Sequence, residues 1–151
     1  MRYKTVGEIL AFSRELHEAL SRQYAELEQL TTSERASMLL DYLNRHEHQL
    51  SVVMENYGKD IHNGALNTWL QYAPEFNINE LTEKVREVDL ESVDSIVQTA
   101  LEVDDFLVRL YTIMAEKADI ESVRDFFQSL LKIEDKERHR IARNAYSSND
   151  M

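Results

Sequence analysis

The sequence contains no cysteine, a single proline and only three glycines, and it has no long apolar run. Without cysteine the chain has no disulfide, no thiolate metal site and no cysteine nucleophile. So few glycines and prolines leave little material for the many turns of an all-β fold. Because no stretch reaches the roughly 18 apolar residues of a membrane span and none resembles a secretion signal, we expect a cytoplasmic protein with no membrane partner.

Acidic side chains dominate the charge of the chain. There are 28 of them against 17 lysines and arginines, which gives a formal net charge of −11. A protein that binds a phosphate backbone needs a basic face, so nucleic acid is not an expected partner. The length of 151 residues suits one domain with a sizeable core. We therefore expect residues 1–151 to form a single all-α domain.

Apolar residues recur at alternating steps of three and four along most of the chain, which is the spacing of one face of an α-helix. Thr5 with Glu8 is a capping box that opens the first helix, and Ser92 opens the third. Thr31 with Glu34 is a second box, at the start of the second helix. The pattern predicts four long helices, over about 6–30, 34–57, 93–117 and 120–146.

The helical spacing is lost between residues 58 and 91, so we interpret this segment as a crossover. Gly58 is predicted to end the second helix as a left-handed C-cap. The segment can return along a helix of about 37 Å, so the second hairpin is expected to run opposite to the first. Residues 147–151 are expected to be a frayed tail. Two short helices are predicted in the crossover, one with Leu66, Trp69 and Leu70, the other opened by Asn79 and containing Leu81, Val85 and Val88.

A shift of 87 positions aligns the second half of the chain with the first without a gap, which predicts an internal duplication. The identical residues lie on the same faces of the predicted helices in both halves. These pairs are Val6 with Val93, Ile9 with Ile96, Glu15 with Glu102, Leu20 with Leu107, Arg22 with Arg109, Tyr24 with Tyr111, Glu34 with Glu121, Leu43 with Leu130, and Glu47 with Glu134.

Polar residues interrupt the apolar seams of all four helices at one common depth. With turns near Thr32 and Asp119, the first polar position in each helix lies 15 residues from a turn. This corresponds to about 22 Å along an α-helix. The predicted buried polar layer consists of His17, Glu47, Asp104, Glu134 and Glu137.

This pattern resembles the ferritin-like family, and most closely its rubrerythrin-like branch, over nearly all of residues 5–146. The resemblance implies a ferritin-like four-helix bundle made of two αα-hairpins joined by a long crossover. The di-iron members take a Glu from each of two helices and a Glu-x-x-His from each of the other two. Tyr24 and Tyr111, seven residues after the ligand positions of the first and third helices, extend the likeness.

The match to the di-iron pattern is incomplete. Glu47 and Glu134, the pair expected to bridge two metal ions, agree with it. The other four positions depart from it, with His17 and Asp104 where the family has Glu, and Leu50 and Glu137 where it has His.

The resemblance implies roles for these residues in a modified carboxylate and histidine metal site. His17, Asp104 and Glu137 would be terminal ligands, and His17 would supply the imidazole missing at Leu50. Oxygen-rich donors with one nitrogen suit Fe or Mn, and two such ions would neutralise four carboxylates. Tyr24 and Tyr111 would hydrogen-bond the ligating carboxylates.

The function is left open between several classes. A non-haem oxidase or peroxidase would act on oxygen or peroxide, and it would need a separate electron donor because the cysteine domain of rubrerythrins is absent. Metal binding without turnover and iron storage in a cage are further readings. In the metal-free alternative, His17 pairs with a carboxylate and the acids share protons.

The metal-free alternative makes the chain an interaction or dimerisation protein. Homo-oligomers are expected in either case, with a dimer favoured. The interaction surface would lie on the crossover at Trp69–Phe76, where Trp69, Leu70, Tyr72 and Phe76 form an apolar patch. The remaining histidines are weaker candidates. We expect His46 and His48, which flank Glu47, to point away from the seam, and His62 and His139 to lie on the surface.

Overall fold

The computed structural model describes residues 4–60, 64, 67, 69–70 and 77–149. Helices account for most of them, so the predicted all-α class is confirmed. In chain order the elements are β1 (Lys4–Thr5), α1 (Val6–Leu30), α2 (Glu34–Asp60), β2 (Trp69–Leu70), α3 (Ile78–Arg86), α4 (Val93–Lys117) and α5 (Glu121–Asn149).

The four long helices agree closely with the predicted ranges. Helices α1 and α4 have the predicted bounds, and α5 begins one residue later than expected. The prediction of a frayed tail over 147–151 is wrong as far as Asn149, because α5 continues to that residue, and 150–151 lie outside the described residues. Local periodicity and capping therefore determine most of the helix bounds.

Three N-caps position the starts of the long helices. The backbone N–H of Glu8 donates to Thr5 Oγ1 at 3.1 Å, and that of Ser95 donates to Ser92 Oγ at 3.1 Å, as the sequence predicted. The predicted box from Thr31 is wrong, because Ser33 caps α2 instead and accepts from the backbone N–H of Ala36 at 3.2 Å. Thr31 is used differently and donates to the carbonyl of Leu90 at 2.9 Å.

Gly58 does not end α2, so this prediction is also wrong. Helix α2 continues through it to Asp60, and none of the described glycines has a positive φ. A Cβ atom at position 58 would lie 2.8 Å from Cδ2 of Leu10 on α1. The glycine therefore allows α2 to approach α1 closely and does not serve as a left-handed cap.

The crossover is predicted correctly in one part and wrongly in another. Helix α3 forms and buries Val85, but its N-cap is Asn77 and not the predicted Asn79, and it ends at Arg86, before Val88. In contrast, Trp69 and Leu70 lie in β2, which pairs antiparallel with Lys4–Thr5 in β1, so the short helix predicted there is wrong. Leu66 lies outside the described residues.

The long helices pack mainly as two pairs, α1 on α2 and α4 on α5. Helix α2 also contacts α4 and α5, and α3 contacts α1 and α4. The α1–α2 turn lies against residues 90–91, just before α4. At the opposite end, β2 lies beside the α4–α5 turn. The second pair therefore runs in the opposite sense to the first.

A continuous apolar core fills the space between these helices. Within the described part of the chain, no helix is both long and apolar enough to cross a membrane. The largest completely buried side chains come from all four long helices and include Tyr24, Leu40, Tyr111 and Phe127.

Candidate functional site

The five polar residues predicted to share one depth are all buried. The long helices α1, α2, α4 and α5 contribute, in that order, His17, Glu47, Asp104, and the pair Glu134 and Glu137. We call these five side chains the polar layer. Buried charged groups are costly unless they are paired, so their partners decide what the layer can do.

His17 lies between two of the acids. Its Nδ1 atom is 2.5 Å from Oε2 of Glu47, and its Nε2 atom is 2.7 Å from Oε1 of Glu134. An ionised carboxylate only accepts hydrogen bonds, so a ring that contacts two of them donates from both nitrogens. An imidazole with both nitrogens protonated carries a positive charge. His17 is therefore an internal cation that joins α1 to α2 and to α5.

The electrostatics of His17 agree with this assignment. Complete burial by itself lowers the pKa of the imidazole, because a low-dielectric interior disfavours the charged form. The negative charges of Glu134 and Glu47, and the hydrogen bonds to both, outweigh that effect. The net result holds the pKa of His17 well above its ordinary value.

Asp104 lies in an environment that disfavours its ionised form. Burial raises its pKa well above the usual value, and the charges of Glu47 and Glu134 raise it further, whereas His17 acts in the opposite direction. Its Oδ2 atom is buried without a hydrogen-bond partner. Burial and the neighbouring acids thus favour the protonated form of Asp104.

Glu137 pairs with a histidine that the sequence analysis set aside. Nδ1 of His46 lies 2.8 Å from Oε1 of Glu137, so the prediction that His46 points away from the layer is wrong. Burial raises the pKa of Glu137, and the nearby His46 counteracts this. The His46 ring also stacks on Tyr42, with ring centroids 4.0 Å apart.

His46 connects the polar layer to the surface. Its side chain is 18% exposed. A surface cavity of about 380 Å³ is lined by Tyr42, His46, Arg140 and Arg143. In the sequence, His46 is only the residue before Glu47 on α2, turned about 100° around the helix, and this spacing does not by itself identify a partner. That flank faces α5, where Glu137 lies one turn beyond Glu134.

The remaining described histidines lie on the surface as expected, and Leu50 occupies the histidine position of the Glu-x-x-His pattern. His48 and His139 are exposed, and His62 lies outside the described residues. Leu50 is buried at the position where a histidine ligand would stand. An apolar side chain there closes that side of the layer.

The two tyrosines do not hydrogen-bond the carboxylates, which corrects the role expected for them. The hydroxyl of Tyr111 donates to Oγ of Ser13, which in turn donates to the carbonyl of Ile9 at 3.1 Å. The hydroxyl of Tyr24 is buried without a partner. Burial raises the pKa of both phenols, and the charge of Glu47 acts on Tyr24 while that of Glu134 acts on Tyr111. Both tyrosines therefore line the layer as neutral groups.

The polar layer contains the residue types of the metal centre that the sequence pattern implies. Oxygen and nitrogen ligands must converge on one point at about 2–2.5 Å. Here the imidazole of His17 occupies the space between Glu47 and Glu134, and both of its nitrogens are engaged. Among the described residues, no group of three or more histidines and acids is arranged so that it could hold a metal ion. The side chains as they are placed do not fit a metal.

Comparison of the chain with protein-family models, with curated proteins and with solved structures finds no match. The ferritin-like resemblance therefore depends on the sequence pattern and on the residues of the polar layer.

Proposed function

We propose that this chain is a ferritin-like four-helix bundle of two αα-hairpins joined by a long crossover, and that it is a non-catalytic interaction protein. In this proposal the polar layer is a self-neutralised ion cluster inside the bundle. The pairing of α1 with α2 and of α4 with α5 supports the bundle, and the contact of the α1–α2 turn with residues 90–91 supports the crossover.

The observation that carries the proposal is the position of the His17 ring between Glu47 and Glu134, at 2.5 and 2.7 Å. This geometry supplies the positive charge that two buried carboxylates need. Pairing of this kind reduces the cost of burying the acids, which would otherwise repel each other.

The charges of the rest of the layer are satisfied in the same way. Glu137 has His46 as its partner at 2.8 Å, and burial together with the charges of Glu47 and Glu134 favours the protonated form of Asp104. In this proposal each acid has a histidine beside it or a proton of its own. A cation from outside is not required.

The interaction role is supported by apolar surface at one end of the bundle. Trp69 is 64% exposed and Ile120 is 51% exposed. Both line a surface cavity of about 230 Å³ beside the α4–α5 turn. Tryptophan is enriched among the residues that dominate binding energy at interfaces. The partner that we propose is a second copy of the chain. The other two aromatic residues of the predicted patch, Tyr72 and Phe76, lie outside the described residues.

A second candidate function is divalent metal binding, with Fe or Mn held by His17, Glu47, Asp104, Glu134 and Glu137. The specific observation in its favour is a set of three buried carboxylate oxygens without hydrogen-bond partners, namely Asp104 Oδ2, Glu134 Oε2 and Glu137 Oε1. This candidate requires His17 to release at least one acid. Redox chemistry at such a centre would require an external electron donor.

Metal analysis separates the two candidates. Protein purified without chelator is examined by elemental analysis, and its melting temperature is measured with and without added Fe²⁺ or Mn²⁺ under anaerobic conditions. The proposal predicts less than stoichiometric metal and an unchanged melting temperature. Stoichiometric metal that disappears in Glu47→Gln and Glu134→Gln, but not in the partly exposed control Asp135→Asn, would establish the second candidate instead.

Size measurement tests the interaction role separately. Light scattering coupled to gel filtration is expected to give a dimer for the wild-type chain and a smaller particle for Trp69→Ser. A wild-type monomer at micromolar concentration would refute self-association and leave the metal-free layer unaffected.

A further inference from the structure

A cavity of about 270 Å³ opens between α1 and α2, at the end of the bundle where α1 begins and α2 ends. We call it the α1–α2 cavity. Its lining on α1 comes from positions 7, 10, 11 and 14, and its lining on α2 comes from positions 54, 55, 58 and 59. Residues three and four apart on a helix share a face. The cavity is therefore formed by one face of each helix, and none of the polar-layer residues lines it.

The lining of the α1–α2 cavity includes apolar side chains from both helices. Leu10 of α1 and Met54 of α2 are buried. Gly7 and Gly58 contribute no side chain to the lining, and they are two of the three glycines in the sequence. The cavity therefore offers hydrocarbon surface on which a small apolar group can pack.

Arg14 is the lining residue whose hydrogen bonding is incomplete. Its Nε atom is buried and has no hydrogen-bond partner. A guanidinium is always charged, and each of its nitrogens can only donate. A buried donor without an acceptor costs free energy, and an ionised donor costs more than a neutral one. Arg14 is thus prepared to donate to an acceptor that enters the cavity from outside the chain.

The charge of the lining has the sign that an anion requires. Arg14 and Lys59 are its cations, and Glu55 is its one acid. The Glu55 carboxylate is 3.8 Å from Nζ of Lys59, and both side chains are at least half exposed, so this pair is weak. The cavity therefore has a net positive charge, although the chain as a whole has a formal net charge of −11.

The second half of the chain provides an internal comparison. A cavity between α4 and α5 includes positions 98, 101 and 142, which the 87-residue shift makes equivalent to 11, 14 and 55. Leu101 stands there at the position of Arg14. The arginine of that cavity, Arg138, is already paired with Asp105 at 3.2 Å and with Asp135 at 2.7 Å. The buried donor without a partner is therefore a property of the first cavity and not of its equivalent.

We propose that the α1–α2 cavity binds a small aliphatic monocarboxylate, whose carboxylate accepts from Arg14 and whose hydrocarbon chain packs on Leu10 and Met54. Arginine and a carboxylate form strong charge-assisted hydrogen bonds. The volume of about 270 Å³ corresponds to roughly nine water-sized groups of about 30 Å³ each. A six-carbon acid such as hexanoate is of this size. The inference adds a ligand to the proposed interaction protein and does not depend on the polar layer.

Three substitutions separate this site from general effects of charge. Arg14→Gln removes the charge of the proposed donor. Because Arg14 Nε has no partner within the chain, this variant is expected to melt no lower than the wild type. Ala11→Leu fills part of the cavity and leaves its charges unchanged. Arg22→Gln is the matched control, since Arg22 is exposed and lies about two turns further along α1.

The experiment titrates hexanoate into the full chain labelled with ¹⁵N and follows the amide signals in ¹H–¹⁵N correlation spectra. A ligand of this size is expected to have a dissociation constant on the order of 1 mM. The wild type and Arg22→Gln should show the same saturable shifts at the amides of Gly7 and Gly58. Binding should weaken about tenfold or more in Arg14→Gln and in Ala11→Leu. Hexan-1-ol, which has the same hydrocarbon chain without the charge, should also bind about tenfold more weakly.

The outcomes that would overturn the inference are specific. The site is refuted if the wild type shows no saturable shift up to about 10 mM hexanoate, tenfold above the expected dissociation constant. Equal affinity in the wild type and Arg14→Gln would also refute it, and so would equal shifts at the amides of Gln98 and Ala142 in the equivalent cavity. If Arg14→Gln does not fold, Ala11→Leu decides. None of these results changes the metal content or the size of the particle, so the proposed function is tested separately.

Discussion

The two halves of the chain have nearly the same framework and different sets of charged groups at their centres. Leu20 and Leu107 are equivalent under the 87-residue shift and both completely buried, and so are Leu43 and Leu130. At the level of the polar layer, the first half supplies one acid and the imidazole of His17. The second half supplies three acids.

The difference shows that the halves depend on each other. The second half on its own would bury Asp104, Glu134 and Glu137 without an internal cation. His17 of the first half reaches across to Glu134, and His46 of the first half reaches Glu137. The repeat is therefore symmetric in its apolar packing and complementary in its charges.

The largest effect is expected from breaking the contact that joins the two halves. Glu134→Leu removes one partner of a buried pair and leaves the His17 charge with Glu47 alone, at a cost of about 3–5 kcal/mol. Chemical denaturation measures the loss. The partly exposed neighbour Asp135, which pairs with Arg138 at 2.7 Å, serves as the control, and Asp135→Asn should cost less than about 1 kcal/mol. Equal losses in the two variants would show that Glu134 is not paired.

The next largest change in the free energy of unfolding is expected at Asp104 in the second half. Asp104→Asn removes a group whose pKa is raised in the folded protein, so the variant is expected to be more stable than wild type at pH 8 by on the order of 1 kcal/mol. Asp105→Asn, at a partly exposed residue paired with Arg138, is the control and should not be stabilising. Loss of stability in Asp104→Asn at pH 8 would mean that Asp104 acts as an anion.

The pH dependence of the wild type has the same origin. The pKa of Asp104 is raised in the folded state above the ordinary value of 3.8, so the folded state retains this proton to higher pH than the unfolded state and burial of the acid costs more as the pH rises. The raised pKa of His17 acts in the same direction. The stabilisation that the His17 charge gives to the folded state is complete below pH 6.5, the ordinary pKa, and is lost as the pH rises through the pKa of the folded state. Denaturation is therefore expected to become easier from pH 6 to pH 9, and less steeply so in Asp104→Asn.

A smaller difference between the halves explains why Tyr111 has a hydrogen-bond partner and Tyr24 has none. Tyr111 of the second half donates to Ser13 of the first half, whereas the residue equivalent to Ser13 in the second half is Ala100, which has no hydroxyl. Tyr24 is the tyrosine without a partner. Ser13→Ala should cost about 1–3 kcal/mol by leaving the Tyr111 hydroxyl unsatisfied. Ala100→Ser should lower the free energy of unfolding only slightly or raise it. A loss as large as that in Ser13→Ala would refute the equivalence of positions 13 and 100.

The smallest effect is expected at the turn of the first half. Oε1 of Glu91 accepts from the backbone N–H of Thr32 at 3.1 Å, and Oε2 accepts from the Thr32 hydroxyl at 2.9 Å. These hydrogen bonds lower the pKa of the exposed Glu91 carboxyl, so its contribution is present at neutral pH and is lost on acidification. Glu91→Gln should speed hydrogen exchange of the Thr32 amide and leave the equivalent turn at 118–120 unchanged.

The sequence predicts the features that depend on local spacing. Helix bounds follow from periodicity and from side chains such as Thr5 and Ser92, which act within a few residues. The depth of the polar layer follows from counting residues away from two short turns. Features that depend on tertiary contacts were predicted wrongly. A glycine is required at position 58 because Leu10 of another helix occupies the space of a Cβ atom. The strand β2 forms because it pairs with β1, which is distant in the sequence.

The same distinction applies within the polar layer. Burial of Glu47 and Glu134 could be predicted because both lie on the apolar seams. The contact of His46 with Glu137 could not, because His46 lies off the seam of α2 and its partner belongs to a different hairpin. The choice of His17 as the bridge likewise depends on how α1 approaches α5, which no local pattern encodes.

The protonation of His17 tests the central claim most directly. Long-range ¹H–¹⁵N correlation spectra of protein labelled with ¹⁵N at histidine report the state of each ring nitrogen. At pH 7.5, above the ordinary pKa of histidine, the account predicts that both nitrogens of His17 carry protons in the protein as purified, and that His17→Gln removes these signals. A neutral His17 ring with one nitrogen unprotonated or bound to metal would contradict it.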